Sequence, residues 1–442
     1  MDTIIRVKQI KIENLKNIQQ GVLSTITDFS SMDIANIVGI YGQNGSGKTT
    51  IVEAFSLLKH LLSSNTLPQK SEYLIQDGQK SINITFDFLI QNEIGTFEST
   101  YACTLEQDKN NLFVTNEMLS FRENLPYHKV KILIQKEDDT IKIRNTDLQD
   151  IPEKERIQIM IANKMALAQH TSFIFDKNLN EVLSNELNTT EIKIIKNLKE
   201  DFNNSFHIIK DTQTGLILTN ILMPFHIALE NSKQNMLFML KESMVASESD
   251  FEIINKAIDQ INIVLKTLVP NLSIEASKIT EETNTDGEKG IRFEFLSMKE
   301  NTKLPLRCES AGVLKLISIL SSLIAVNNNP NACVVIDELD SGVFEYLLGE
   351  ILQVINDNGK GQLFFTSHNL RLLEVLDSNQ MWFSTTNNKD RFIQLKGVKK
   401  LSNVRDMYLR AVQLGGQKEE LYDETDDYAI RKAFLKAGTF ND

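Results

Sequence analysis

The sequence predicts an α/β fold with a mixed or parallel central sheet, an antiparallel β-meander and an inserted α-helical subdomain. Three observations predict it. A G-x-x-x-x-G-K-[ST] motif joins an apolar strand to an amphipathic helix, strand-like patterns that begin with strict apolar–polar alternation at 82–90 follow at residues 80–145, and helical periodicity covers residues 151–268. We expect an N-terminal lobe at 1–150, the helical insertion at 151–285 and a C-terminal lobe at 286–442.

The glycine-rich motif is a complete phosphate-binding loop, preceded by the apolar run 37–41 and followed by a helical pattern at 50–62. Its glycines let backbone N–H groups turn around phosphates, and the helix N-terminus adds a favourable dipole. Lys48 can reach the β- and γ-phosphates, and the Thr49 hydroxyl can bind Mg²⁺. The sequence therefore predicts a nucleoside triphosphate site with these residues: Gly42, Gln43, Asn44, Gly45, Ser46, Gly47, Lys48, Thr49 and Thr50.

Composition limits the remaining function classes. The 442 residues are 41% hydrophobic and carry a net charge of −12, which supports a folded core and argues against nonspecific nucleic-acid binding over the whole surface. The cysteines Cys103, Cys308 and Cys333 form no C-x-x-C pair, so a reducing cytoplasm is expected and a thiolate zinc site is not. No signal peptide or bilayer-spanning stretch is evident, so we expect a soluble cytoplasmic protein with no membrane partner.

The elements follow from local periodicity. Residues 4–12 predict a first strand, and residues 82–90 alternate as a half-buried strand that opens the meander. Residues 191–206 and 251–268 predict helices, and the polar stretch 280–290 predicts a loop. Sustained heptads are not evident, which excludes a long coiled coil.

A second apolar strand, residues 334–336, ends in Asp337 and Glu338. Such a strand delivers its carboxylates to the edge of a parallel sheet where ligands bind. Asp337 is placed to hold Mg²⁺, and Glu338 to polarise an attacking water. The apolar run 363–365 leads to His368, a candidate γ-phosphate sensor, although a lone histidine is more often structural.

The 295 residues between the two halves of the site (337 − 42) imply that the meander and the helical block are inserted within one nucleotide-binding core. Before the acidic strand, Ser310 and Gly312 open a predicted helix whose N-terminus could bind an anion. The simpler alternative is that Ser310 merely caps that helix.

This order of motifs resembles the ABC-type ATPase heads of the RecF, SMC and OLD (overcoming lysogenization defect) group, over residues 1–62 and 305–375. The resemblance implies an ABC-type ATPase head that binds ATP and Mg²⁺ and forms a homodimer, or a higher homo-oligomer, around two ATP molecules. Ser310 and Gly312 would be the signature residues acting on the partner's ATP. Asp340 would belong to the D-loop and His368 would be the switch histidine.

The signature departs from the common L-S-G-G-[QE] form at Ala311 and Val313. Its E-S-x-G form is similar to ATPases of bacterial phage-defence and abortive-infection operons of the AbiL, Septu and PARIS types. The family's Q-loop glutamine, a Mg²⁺ ligand, would be Gln169, with Gln76 as the rival.

We expect an ATPase that senses a trigger and controls a separate effector, a nuclease or toxin, because residues 369–442 are too few for the metal-dependent nuclease domain of OLD proteins. The acids in that segment are expected to be a solvated or docking surface: Asp423, Glu424, Asp426 and Asp427. The alternative is a RecF- or SMC-like ATPase that binds DNA, for which residues 129–136 and 396–400 are the candidate basic segments. The energy subunit of a membrane transporter fits worst, because its two motifs lie closer together and its signature is richer in glycine.

Overall fold

The computed structural model describes residues 3–69, 73–108, 111–177, 179–210, 222–229, 232–239, 242–283, 289–300, 302–396, 403–422 and 426–438. In chain order the strands are β1 (Ile4–Leu15), β2 (Ile18–Ser24), β3 (Asn36–Tyr41), β4 (Ser81–Gln91), β5 (Thr96–Asp108), β6 (Asn111–Glu123), β7 (Lys131–Glu137), β8 (Thr140–Ile143), β9 (Thr146–Asp147), β10 (Phe206–Ile209), β11 (Leu222–Leu229), β12 (Ser232–Met239), β13 (Met244–Ser247), β14 (Leu272–Thr283), β15 (Lys289–Lys299), β16 (Thr302–Pro305), β17 (Cys333–Ile336), β18 (Gln362–Thr366), β19 (Met381–Ser384) and β20 (Phe392–Ile393). The α-helices are α1 (Lys48–Leu62), α2 (Glu153–Gln169), α3 (Leu179–Glu186), α4 (Thr189–Lys196), α5 (Glu248–Leu268), α6 (Ala311–Asn328), α7 (Glu345–Asn358), α8 (Leu372–Val375), α9 (Val404–Leu414) and α10 (Asp427–Gly438).

The central sheet has six strands in the order β10-β17-β18-β3-β19-β20, and every pairing except β19–β20 is parallel. The strands β3, β17 and β18 are buried along their whole length. Continuous apolar strands of this kind are typical of a parallel sheet covered on both faces. The predicted α/β fold with a mixed, mostly parallel central sheet is confirmed.

The meander belongs to an eight-stranded antiparallel sheet in the order β2-β1-β4-β5-β6-β7-β8-β9. Its strands alternate between buried and partly exposed residues, as the period-2 pattern predicts. The inner face of this sheet shares one hydrophobic core with α1 and with strands of the central sheet.

The segment 151–285 is less helical than the sequence pattern indicates. Helices α2 to α4 are present, and a π-helical turn (Asn197–Phe202) follows α4. The predicted helix at 191–206 nevertheless ends there, because Phe206 begins β10, which pairs with β17 at the edge of the central sheet. The hairpin β11–β12 and the strands β13 and β14 also lie in this segment, and β14 occupies part of the predicted loop at 280–290.

Periodicity misses β10 because a four-residue strand of apolar residues gives the same signal as a short piece of buried helix. The boundaries 1–150, 151–285 and 286–442 stay a prediction.

The helix α6 is the one helix among the described residues that is long and apolar enough to cross a membrane by composition, and 67% of it is buried inside the protein. Its packing is that of a core helix. It lies in the second hydrophobic cluster, together with α5, α7 and the other face of the central sheet.

Two buried side-chain amides join the antiparallel sheet to the central sheet. The backbone N–H of Val7 donates to Gln362 Oε1 at 2.7 Å, and Gln362 Nε2 donates to the carbonyl oxygen of Val7 at 2.9 Å. The backbone N–H of Ile5 donates to Asn331 Oδ1 at 3.0 Å. Gln362 is fully buried, at the first position of β18, and Val7 lies at a β-bulge in β1. At Val7 the amide of Gln362 therefore takes the place of β2, whose pairing with β1 begins only at Gln9.

Arg6 in β1 also helps to join the antiparallel sheet to the central sheet. Its guanidinium is fully buried and donates to the carbonyl oxygen of Met32 from Nε at 3.1 Å and from Nη2 at 2.7 Å, and it also donates to the carbonyl of Lys360. Burial lowers the pKa of Arg6 to about 10. The guanidinium therefore stays charged at neutral pH and holds the loop before β3 against β1.

We expect Gln362→Leu to lower the free energy of unfolding by about 2–4 kcal/mol, because a buried backbone N–H and a buried C=O lose their partners. Urea unfolding monitored by circular dichroism measures the change. Gln353→Leu is the control, since Gln353 is exposed on α7 and bonds only to Asp357. Equal unfolding midpoints for the two variants would show that the hydrogen bonds of Gln362 contribute nothing to stability.

Candidate nucleotide-binding site

The phosphate loop turns between β3 and α1 through glycine conformations that other residues adopt only with strain. Gly45 and Gly47 have φ of 78° and 96°. A Cβ built on Gly42 would lie 1.7 Å from Ser384 Oγ, so no side chain fits there. Gly47 is the N-cap of α1, and the first N–H groups of that helix point along its axis into the turn of the loop. This is a cradle for an anion.

Ser384 at the end of β19 braces this loop from the neighbouring strand. Its hydroxyl donates to the carbonyl oxygen of Tyr41 at 3.0 Å and also contacts the hydroxyl of Ser46. Nearby, Arg391 donates from Nη2 to the carbonyl oxygen of Asn17 at 2.7 Å. Neither Ser384 nor Arg391 belongs to a motif that the sequence reveals.

Lys48 lies within the loop, and its Nζ donates to the carbonyl oxygens of Gly42 at 2.9 Å and Gln43 at 3.0 Å. Burial lowers the pKa of Lys48, and the carboxylates of Glu338 and Asp337 oppose that shift. A phosphate in the cradle would oppose it further, since an opposite charge favours the ammonium form.

Asp337 follows β17 and is almost fully buried. Its Oδ1 accepts a hydrogen bond from Thr49 Oγ1 at 3.3 Å and one from Thr366 Oγ1 at 2.6 Å. A carboxylate and a hydroxyl at this separation suit a divalent cation with a preference for oxygen ligands. The structure thus brings together Thr49 and Asp337, two of the three metal ligands that the sequence predicts.

Gln169, the third predicted ligand, is exposed at the C-terminal end of α2 and does not line the cleft beside the loop. Its rival Gln76 hydrogen-bonds through its backbone to Asn14 and does not line the cleft either. The geometry therefore supports neither assignment. A single glutamine on a helix or in a loop carries no motif that ties it to the site, so its position could not be predicted from the sequence. Asp423 and Glu424 lie outside the described residues, and Asp426 and Asp427 lie at the exposed start of α10.

Glu338 and His368 face the loop from β17 and β18. Glu338 has φ of 48°, and its backbone N–H donates to Thr366 Oγ1 at 2.8 Å. The backbone N–H of His368 donates to Asp340 Oδ2 at 3.2 Å. Burial lowers the pKa of His368, Lys48 lowers it further, and Asp340 and Asp337 oppose these effects. The His368 side chain is more than a third exposed, so water screens the shift, but its direction favours the neutral ring at pH 7.

These groups line one open cleft of about 470 Å³, a volume suited to a small-molecule ligand. The residues that line it are Lys16, Asn17, Asn44, Gly45, Gly47, Lys48, Thr49, Thr50, Glu338, Thr366 and His368.

Sequence reasoning misses Lys16 and Asn17, which lie in the turn between β1 and β2. The Asn17 side chain donates to the carbonyl of Gly45 and accepts a hydrogen bond from Thr50 Oγ1 at 3.2 Å. Two adjacent polar residues in a turn between strands carry no signal by themselves. Only the pairing of the sheets brings this turn to the phosphate loop.

Ser310 and Gly312 do not line this cleft. Ser310 is exposed and caps α6, accepting a hydrogen bond from the backbone N–H of Val313 at 3.4 Å. Gly312 lies against the turn after Glu338, since a Cβ built on it would lie 2.3 Å from the carbonyl oxygen of Gly342. In that turn, Asp340 Oδ1 is buried without a hydrogen-bond partner among the described residues.

A protein-family model described as "AAA domain, putative AbiEii toxin, Type IV TA system" matches residues 37–374, from the strand before the phosphate loop to the helix after His368. The chain belongs to this family. The match to an AAA domain agrees with the coarser part of the resemblance, which expects a nucleotide-binding ATPase domain.

Solved structures give weaker likenesses. An SMC head bound to the C-terminal winged-helix domain of ScpA is 12% identical with a TM-score of 0.42, covering 88% of this chain and 97% of its own. The SMC head domain from Thermotoga maritima is 13% identical with a TM-score of 0.38, covering 88% and 99%. The recombination mediator RecF with ATP is 11% identical with a TM-score of 0.38, covering 89% and 100%. At these low scores the likenesses carry no function or partner over to this chain. No curated protein sequence matches the chain significantly.

We expect Lys48→Ala to weaken ATP binding on the order of 100-fold, because the phosphates lose the charged donor within the loop. Isothermal titration calorimetry with ATP and Mg²⁺ measures the affinity. Lys418→Ala is the matched control, since Lys418 is an exposed cation paired with Asp390. An unchanged affinity in Lys48→Ala would place the nucleotide elsewhere.

Proposed function

We propose that this chain binds and hydrolyses ATP, dimerises through its ATPase heads, and acts as a sensor or scaffold that controls a separate effector in bacterial anti-phage defence. The observation that carries the proposal is the meeting, in one cleft, of the phosphate loop with Thr49, Glu338 and His368, while Asp337 lies buried next to the cleft and accepts a hydrogen bond from Thr49. The fit of these groups to ATP and Mg²⁺ rests on the glycine cradle and on the paired oxygens of Thr49 and Asp337.

In the proposed binding step, the N–H groups of the loop and of the first turn of α1 donate to the phosphates, and Lys48 exchanges its loop carbonyls for phosphate oxygens. Thr49 and Asp337 would hold Mg²⁺, which when bound neutralises charge on the β- and γ-phosphates. Lys16 and Asn17 line the same cleft and can contact the rest of the nucleotide.

In the proposed chemical step, the carboxylate of Glu338 orients a water molecule and accepts its proton as the water attacks the γ-phosphorus, while the bond between the γ-phosphorus and the β–γ bridging oxygen breaks and ADP and phosphate are released. The left-handed backbone at Glu338 turns the chain out of β17, so that this carboxylate lines the cleft. His368 lies on the same side and can donate a hydrogen bond to the terminal phosphate. Slow turnover suits a sensor.

Head dimerisation is supported by the position of the signature-like residues. Ser310 and Gly312 open α6 at the surface and lie outside the cleft of their own chain. A second head, placed face to face, would bring the N-terminus of α6 to the nucleotide of its partner, where the helix dipole favours an anion. Asp340, in the turn against Gly312, would lie at the same interface.

The alternative is a DNA-binding ATPase of repair or maintenance. The candidate basic segment 129–136 presents one cation fewer at the surface than its sequence indicates. Lys136 is buried and donates to the carbonyl oxygens of Val114 and Thr115. Residues 397–400 of the second segment lie outside the described residues. The net charge of −12 also favours a protein effector over a DNA groove.

We expect Glu338→Gln to bind ATP with little change in affinity but to hydrolyse it at least about 100-fold more slowly, because the general base is lost. The variant should accumulate as an ATP-bound dimer in size-exclusion chromatography with light scattering. Glu350→Gln, on the exposed side of α7, is the control and should behave as the wild type.

The same Glu338→Gln protein, purified from its native operon context with ATP and Mg²⁺, identifies the partner. A stoichiometric protein supports the effector role, whereas DNA retained only with ATP supports the alternative. A monomer that hydrolyses ATP at the wild-type rate would contradict the assignment of Glu338.

We expect Ser310→Arg to retain ATP binding while losing ATP-dependent dimerisation and hydrolysis, because a bulky cation then occupies the proposed interface. Loss of the cap alone costs about 1 kcal/mol. Ser247→Arg matches that loss, since Ser247 caps α5 and is equally exposed. Normal hydrolysis by a monomeric Ser310→Arg protein would overturn the dimer.

A further inference from the structure

Thr366, the last residue of β18, bonds to both acidic residues of the site through a single hydroxyl. Its Oγ1 lies 2.6 Å from Asp337 Oδ1 and 2.8 Å from the backbone nitrogen of Glu338. The side chain is almost fully buried yet lines the cleft. No motif in the sequence assigns it a role.

The direction of both hydrogen bonds follows from the chemistry of the groups. A backbone N–H can only donate, so the Thr366 oxygen accepts from Glu338. The one hydroxyl proton is then free to donate to the carboxylate oxygen of Asp337. Neither bond can be reversed while Asp337 is ionised, and the hydroxyl therefore holds one defined orientation.

This hydroxyl helps to maintain a strained backbone. Glu338 has φ of 48°, a left-handed conformation that costs a non-glycine residue about 1 kcal/mol or more. The carbonyl oxygen of Thr366 accepts from the backbone N–H of Leu339 at 3.0 Å. Two successive N–H groups on either side of the bend are thus bound by one residue of the next strand.

We propose that Thr366 is a positioning residue for ATP hydrolysis: it orients Asp337 toward the metal and holds Glu338 in the bent conformation that directs its carboxylate into the cleft. The inference rests on the proposed ATPase function. Thr49 also bonds to Asp337 Oδ1, at 3.3 Å, but its hydroxyl is the one that a Mg²⁺ ion would draw away. Thr366 then remains to hold the carboxylate.

The test compares Thr366→Val, which keeps the shape and removes the hydroxyl, with Thr366→Ser, which keeps the hydroxyl. For Thr366→Val we expect kcat to fall about 10- to 100-fold with KM for ATP changed less than about threefold, since the lost bonds involve a charged group and a strained backbone. Thr366→Ser should restore kcat to within about threefold of the wild type, the residual reflecting only a lost methyl group. Thr115→Val is the matched control, because Thr115 is a buried threonine of the meander whose hydroxyl bonds to the carbonyl oxygen of Thr104.

A second readout does not depend on turnover. The Mg²⁺ concentration that half-saturates ATP binding should rise about three- to tenfold in Thr366→Val, since Asp337 is no longer held in place. Should Thr366→Val fail to fold, Thr366→Cys, with a weak donor of similar size, carries the same expectations.

A wild-type kcat in Thr366→Val, or an equal fall in the valine and serine variants, would overturn the proposal while leaving the ATPase function intact. A wild-type protein that binds ATP without hydrolysing it would instead refute the proposed hydrolysis. In that case an unchanged Mg²⁺ requirement in Thr366→Val would overturn the inference by itself.

Discussion

The parallel pairing of β18 with both β3 and β17 is the constraint on which the site depends. It places the carboxyl ends of three strands side by side at one edge of the sheet. The phosphate loop leaves β3 there, Asp337 follows β17, and Thr366 ends β18. Residues that are 288 positions apart in the chain (337 − 49) are thereby within hydrogen-bonding distance, as the contact between Thr49 and Asp337 shows.

The hydrogen bonds of Gln362 fix the position of the antiparallel sheet relative to the central sheet. Its amide satisfies both backbone groups of Val7, so β1 is fixed relative to the first residue of β18. The turn after β1 carries Lys16 and Asn17 to the phosphate loop at the other end of the same strand. One side of the cleft is thus built from the antiparallel sheet and the other from the central sheet, and buried amides set their separation.

The fold and the centre of the site could be predicted from the sequence because they follow from local patterns. The glycine loop, the apolar strand ending in Asp337 and Glu338, and the alternation in β4 each carry their signal within about ten residues. What could not be predicted depends on contacts between distant segments. The strand β10 is too short to show a period, Thr366 has no motif, and Asn17 meets Gly45 only after the sheets pair. Gln169 lies outside the cleft, and an isolated glutamine carries no information in the sequence about its distance from the phosphate loop.

The close approach of Gly312 to Gly342 has a mechanical consequence. There is no room for even a methyl group between the start of α6 and the turn that begins at Glu338. These two segments are therefore in direct backbone contact, although in the proposed head dimer they would serve different nucleotides, one in each subunit. In such a dimer, a displacement of α6 by the phosphate bound to the partner subunit would also displace the backbone bend at Glu338. In the proposed dimer, this contact would couple the occupancy of one nucleotide site to the position of the acidic residues in the other.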